Sequence, residues 1–182
     1  MSKASGRSCA ALALGLGLLA ATSTKAQTPS TTITTEYLMT VYFALDPPLT
    51  VDDQLRVANV RSEGSWASGP RIKAKVVPPS GDWPHRTADG QLVHLDVRVN
   101  LRTEDGDLIF MSYAGVVQWP ADLNDRVARG EALKAGDTYW VTAPIFVSKA
   151  PKYSWLNGIQ AVAKMISYKR GDHVTYDVFA IK

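Results

Sequence analysis

The sequence predicts an all-β domain, an antiparallel β-barrel of about eight strands with one short helix. Three observations carry that expectation. Apolar and polar residues alternate over strand lengths, as in Tyr37, Met39, Val41, Phe43 and Leu45. Turn-forming groups recur between such runs, among them Asp46-Pro47-Pro48, Ser68-Gly69-Pro70 and Asp105-Gly106. All five Trp, seven Tyr and four Phe lie beyond residue 26, and ring-bearing residues favour strands.

The first 26 residues are set apart. Lys3 and Arg7 precede the apolar run Ala10–Ala21, and small or polar residues follow up to Thr24-Lys25-Ala26. That order reads as a signal peptide over residues 1–26, with cleavage after Ala26 and a periplasmic or secreted product. The run is about 12 residues, short of a membrane span, so no stable membrane insertion is expected after cleavage. Lys3, Arg7 and Lys25 leave with the signal, and the formal count falls from 20 basic and 17 acidic residues to 17 of each. No positive excess remains to favour nucleic acid. Cys9, the one cysteine, leaves too, which excludes disulfides and thiolate chemistry from the mature chain. Stability must come from the core, and the roughly 156 residues that remain are enough to build one.

Residues 27–35 are rich in Thr and read as a flexible lead-in to a single barrel domain over 36–182. Glu36–Leu45 is the first strand, stopped by Asp46-Pro47-Pro48. A weaker strand covers Leu55–Val60, and Arg71–Val77 alternates cleanly. Pro78–Gly90 reads as a long loop. Leu92–Val117 is a hairpin around Asp105-Gly106. Trp119-Pro120 ends it, and Ala121–Leu133 is the helix, with Asp122 and Asp125 near its start and Lys134 near its end. Thr138–Val147 is a strand whose Pro144 marks an edge or bulge. Tyr153–Ser167 and His173–Ile181 are the last two strands.

The hairpin carries the first candidate site. A two-residue turn at Asp105-Gly106 would need positive φ at both residues. It would place Arg98 opposite Tyr113 and Asp96 opposite Gly115. One face would then hold His94, Asp96, Arg98, Asn100 and Arg102 beside Ile109, Met111, Tyr113 and Gly115. Asp96 and Arg98 point the same way on one strand and can form a charge-assisted pair. The face reads either as a pocket wall or as an ordinary ion pair on a half-wet sheet. A second candidate is Trp155 with Asn157, which share a face if Tyr153–Ser167 is a strand: the ring to stack on a ligand, the amide to orient it. A third is Asp82 with Trp83 in the long loop. His85, His94 and His173 lie far apart, so no metal site is expected. No phosphate-binding or dinucleotide-binding glycine motif appears, and no cofactor is expected.

Taken in order, Gly69-Pro70, Gly81-Asp82-Trp83, Leu95-Asp96-Val97-Arg98 through Asp105-Gly106, Pro144-Ile145-Phe146 and Tyr153-Ser154-Trp155-Leu156-Asn157 give the chain a resemblance. It resembles the domain of unknown function 3237 family, also called uncharacterised protein family 0311, from about Glu36 to Ile181. The resemblance implies a compact antiparallel β-barrel, and it places Asp82, Asp96, Arg98, Trp155 and Asn157 among the family's recurring residues.

These residues fit three functions. The first is an exported barrel binding a small, partly aromatic or oxygenated molecule, with Asp82, Trp83, Asp96, Arg98, Tyr113, Trp155 and Asn157 as its ligand-binding residues. The second is a cofactor-independent isomerase, cyclase or lyase with Asp96 or Asp82 as base. The third is a structural or assembly protein whose second hairpin face makes a homo-oligomer.

Overall fold

The computed structural model describes residues 31–182, so the signal peptide expected over 1–26 and the first part of the lead-in lie outside the described residues. The strands run in the order β1 (Thr35–Ala44), β2 (Leu49–Thr50), β3 (Arg56–Asn59), β4 (Trp66–Ser68), β5 (Lys73–Asp82) and β6 (His85–Arg86). Then come β7 (Leu92–Thr103), β8 (Leu108–Gln118), α1 (Ala121–Ala128), β9 (Leu133–Lys134) and β10 (Trp140–Val147). A 3-10 helix over Pro151–Gly158, β11 (Ala161–Lys169) and β12 (His173–Ile181) complete the chain.

Eight of these strands close a barrel. Every neighbouring pair is antiparallel in the circuit β1–β12–β11–β10–β8–β7–β5–β4 and back to β1. The expected number of strands is right, but the membership differs. Leu55–Val60 contributes β3, which with β2 forms a ribbon beside the end of β5. The three-residue β4, unmarked by periodicity because it is so short, takes the place in the wall. Thr34 and Lys182 exchange backbone hydrogen bonds of 3.4 and 2.9 Å, so pairing reaches back into the expected lead-in.

Alternation explains the core. In β7, Leu95, Val97, Val99 and Leu101 are buried while His94, Asp96, Arg98 and Arg102 are exposed. Each buried aliphatic side chain of this size is worth about 1.5–3 kcal/mol. Eight strands enclose a bore that side chains just fill, or that holds one small ligand. Both happen here. At the end where β7 meets β8, large side chains and the 3-10 helix residues Tyr153 and Leu156 fill the bore. At the other end it stays open.

The β7–β8 register corrects the expected one. Arg98 faces Ser112, Val97 faces Tyr113 and Leu95 faces Gly115. The cause is the loop. Of Asp105 and Gly106 only Gly106 has positive φ, at 87°. Thr103 N–H donates to Asp107 O at 2.9 Å, and Gly106 N–H donates to Thr103 O at 2.9 Å. The connection is therefore the three-residue loop Glu104–Gly106, with glycine in the left-handed position. A one-residue slip exchanges the two faces of a strand. Ile109, Met111 and Tyr113 consequently point inward with the apolar face of β7, where all three are buried. Gly115 therefore lies opposite Leu95 rather than Asp96, on a face with no room to spare: a Cβ there would stand 2.6 Å from Thr142 and 3.2 Å from Leu95.

Two further expectations change. Tyr153–Asn157 is 3-10 helix rather than strand, begun by Pro151 in its first turn. The helix α1 stops at Ala128 instead of Leu133 because Gly130 turns with φ 77°. Pro144 lies in β10 opposite Tyr113, beyond the two residues that pair with β11, so its missing N–H costs no ladder bond.

Candidate functional site

The open end of the barrel is a cavity of about 240 Å³. That exceeds the roughly 150 Å³ that suffices for benzene in an apolar protein cavity. Its wall is made by the inward residues of β7, β8, β10 and β12, and its rim by β3, β6, α1 and the β11–β12 turn.

Asp82 reaches this space through a bulge in β5. Val77 pairs with Asn100, yet Gly81 pairs with Arg98, so β5 carries two extra residues there. Pro78 and Pro79 cannot donate to the ladder. Ser80 replaces the lost bonds: its Oγ accepts from Asn100 N–H at 3.0 Å and donates to Val77 O at 2.9 Å. The Asn100 side chain donates to Pro79 O at 2.6 Å. Because the extra residues are even in number, inward and outward positions are kept. Asp82 then sits opposite Val97, facing the lumen.

Around it are rings rather than cations. Tyr113 and Tyr176 meet edge to face at 5.9 Å, and the Trp140 indole N–H donates to the Tyr176 hydroxyl at 3.0 Å. Trp140 continues the wall to Tyr168 at 4.9 Å and to Trp119 at 6.4 Å. Burial in this surrounding disfavours the carboxylate and pushes the Asp82 carboxyl up to about 7. The nearby Asp96 charge adds to the rise, while hydrogen bonds from the backbone N–H groups of Asp96 and Trp83 oppose it. Burial likewise pushes the Tyr113 and Tyr176 phenols up, and the Asp82 charge contributes at both. Both stay protonated near neutrality and present hydroxyls as donors. An acid that titrates near neutrality, set among phenols in an apolar space, can give or take a proton from a bound molecule.

The structure brings together only part of the predicted site. Asp82 and Tyr113 both line the cavity. Asp96, Arg98 and Trp83 lie outside the barrel wall, behind Asp82. The Arg98–Asp96 ion pair is 3.1 Å long with side chains 52% and 54% exposed, and Arg98 stands 5.4 Å from the Trp83 ring. Such an exposed pair contributes little to stability. Asp96 touches Asp82 through its backbone, its N–H donating to Asp82 Oδ1 at 3.2 Å, while its side-chain charge acts from outside the wall. Trp155 and Asn157 sit at the filled end. Asn157 Oδ1 accepts from Ser148 N–H and its Nδ2 donates to Ser148 O, both at 2.8 Å. Arg71 lies 3.7 Å over the Trp155 ring. Neither residue lines the cavity.

Sequence reasoning missed Trp140, Tyr176, Tyr168 and Trp119. Trp140 and Tyr176 fall on inward positions of recognisable strands, but alternation does not say whether an inward ring is packed or borders a void. It also missed Arg56, Arg86 and Arg170, which come from three separate segments. Among the described residues no group of three or more His, Cys, Asp or Glu is placed to hold a metal ion.

Comparison with known proteins agrees with the resemblance. Residues 33–181 match the family model described as a protein of unknown function, DUF3237. A curated relative, a UPF0311 protein from Rhodopseudomonas palustris, is 26% identical over 118 residues, which is 65% of this chain and 75% of that one. A crystal structure of a conserved protein of unknown function from the same species superposes with a TM-score of 0.75 at 24% identity. It covers 86% of this chain and all of that one. A β-barrel-like protein from Acinetobacter baumannii gives 0.66 at 26% identity, again over 86% of this chain and all of that one. An enzyme from Penicillium herquei shares the fold with a TM-score of 0.59 at 17% identity, over 86% and 100% of the two chains. The chain belongs to the DUF3237 family.

Proposed function

We propose that this member of the DUF3237 family takes a small, partly aromatic or oxygenated molecule into its open end. There Asp82 moves a proton on it, as in an isomerase, cyclase or lyase. The carrying observation is the Asp82 carboxyl aimed into a ring-lined cavity, where burial pushes it up to about 7. Ionised, it takes a proton from the ligand; protonated, it returns that proton at a different atom. For an isomerase or cyclase the net change is a rearrangement within one molecule, and for a lyase the proton goes to the leaving group as its bond to carbon breaks; neither needs an oxidant or a second substrate. Tyr113 and Tyr176 supply hydroxyl donors to an oxygen that gains negative charge. The signal sequence expected over 1–26 supports a periplasmic or secreted setting for this chemistry.

The two-ring ketone 2-tetralone tests this directly, because its acidic C–H protons exchange with solvent when a base is placed beside them. Wild-type protein is expected to speed deuterium uptake in D2O, followed by NMR. Asp82→Asn should lower that acceleration about a hundredfold or more, the usual scale of a general base. Arg98→Ala, outside the barrel, should leave it unchanged. Binding of 2-tetralone without exchange would reject the enzyme and leave a binding protein. That second reading rests on the same aromatic walls.

A further inference from the structure

Three arginines border the cavity where it opens: Arg56 on β3, Arg86 on β6 and Arg170 on the β11–β12 turn. Among the described residues none of the three enters an ion pair, although nine such pairs occur elsewhere. Asp46, the other carboxylate at the rim, is already engaged by Asn59 at 2.7 Å and Arg61 at 3.7 Å. Arg86 has only long, neutral contacts, to Gly90 O at 3.4 Å and Asn124 Oδ1 at 3.5 Å, and it lies 5.1 Å over the Trp119 ring. Burial and the neighbouring Arg56 and Arg170 charges pull its guanidinium down from the ordinary value. Three like charges converging on one mouth without counter-charges are costly, and an anion there relieves the cost.

The strand register sets their distance from the acid. Asp82 pairs with Val97 and Arg86 pairs with Val93, both on the inner face of β7. Those positions are four residues apart, about 13 Å along a strand. An arginine side chain spans part of that gap, and the length left suits a body of one or two rings. Rings link the two ends: Arg86 lies 5.1 Å over Trp119, Trp119 meets Trp140 at 6.4 Å, and Trp140 donates to Tyr176, whose phenol feels the Asp82 charge.

We propose that Arg56, Arg86 and Arg170 form a collar that recognises an oxyanion, so that the molecule presented to Asp82 carries a carboxylate or phosphate on a ring body. This names the substrate class of the site proposed above and rests on that reading. The probes are 2-naphthoate, 2-naphthyl phosphate and neutral 2-naphthamide, compared by titration calorimetry at low salt. At least one anion is expected to bind about tenfold or more tightly than the amide, and which one identifies the oxyanion. The preference should disappear in the Arg86→Gln, Arg170→Gln double variant, with unaltered amide binding showing that the cavity has survived. Equal binding of all three probes to the wild type would overturn the collar and leave the aromatic cavity standing. An undiminished anion preference in the double variant would also overturn it. Binding of none would remove both.

Discussion

Asp82→Asn is expected to stabilise the protein above pH 7 and to flatten its stability between pH 4 and 7. The sign follows from linkage. In the unfolded chain Asp82 releases its proton near the ordinary value of 3.8, whereas in the fold it holds that proton to about 7. Between those limits the native state binds more protons, so stability falls as pH rises, and above pH 7 the loss is complete. A shift of this size is worth at most about 4 kcal/mol, less whatever cavity water restores. Glu36, Asp52, Asp89, Asp105, Glu131 and Asp137 are lowered by hydrogen-bond partners, so they weaken the fold only under more acid conditions. Urea denaturation of both proteins at pH 5 and pH 8 isolates the Asp82 contribution by difference. The variant should gain on the wild type at pH 8. A gap independent of pH would mean that Asp82 titrates normally. Such a cost at the residue proposed to move the proton is the usual trade between stability and function.

Gly69→Ala should produce the largest structural loss. A Cβ at this position would stand 2.0 Å from Leu38 O, 2.7 Å from Met39 Cα and 2.8 Å from Met39 Cβ. Most of these are backbone atoms of β1 or atoms fixed to it, so no side-chain rotation relieves the clash. The corner that leads from β4 into β5 must move, together with the 2.8 Å bond from Gly69 N–H to Ile72 O. The pairing of Thr40 with Ser68 would move too, and that pairing closes the barrel. A loss of about 3 kcal/mol or more is expected, near 10 °C in Tm for a domain of this size. Differential scanning calorimetry reads it. A Tm within about 2 °C of wild type would show that β1 yields easily.

The barrel was legible because its strands alternate. The inner face of β7 follows directly from Val93, Leu95, Val97, Val99 and Leu101. The partner face was misread because Asp105-Gly106 looks like a two-residue turn, and only backbone geometry reveals the third residue. A signal of the slip was nonetheless present. A two-residue turn puts Ile109, Met111 and Tyr113 beside Asp96 and Arg98, and that mismatch is what a one-residue register shift creates. Asp82 was visible as a loop acid, but its inward aim depends on the Pro78-Pro79 bulge, whose length periodicity does not report. Asn157 is a polar residue with a structural task, holding Ser148 at the filled end. The three arginines lie too far apart in sequence for spacing to connect them.

Burial among rings should make a carboxyl inside the barrel titrate near neutrality. Carbon-detected NMR of the Asp82 side-chain carboxyl through a pH titration, assigned by its loss in Asp82→Asn, measures this directly. The expected midpoint is about 7. A midpoint near 4, the ordinary aspartate value, would contradict both the buried acid and the chemistry proposed for it.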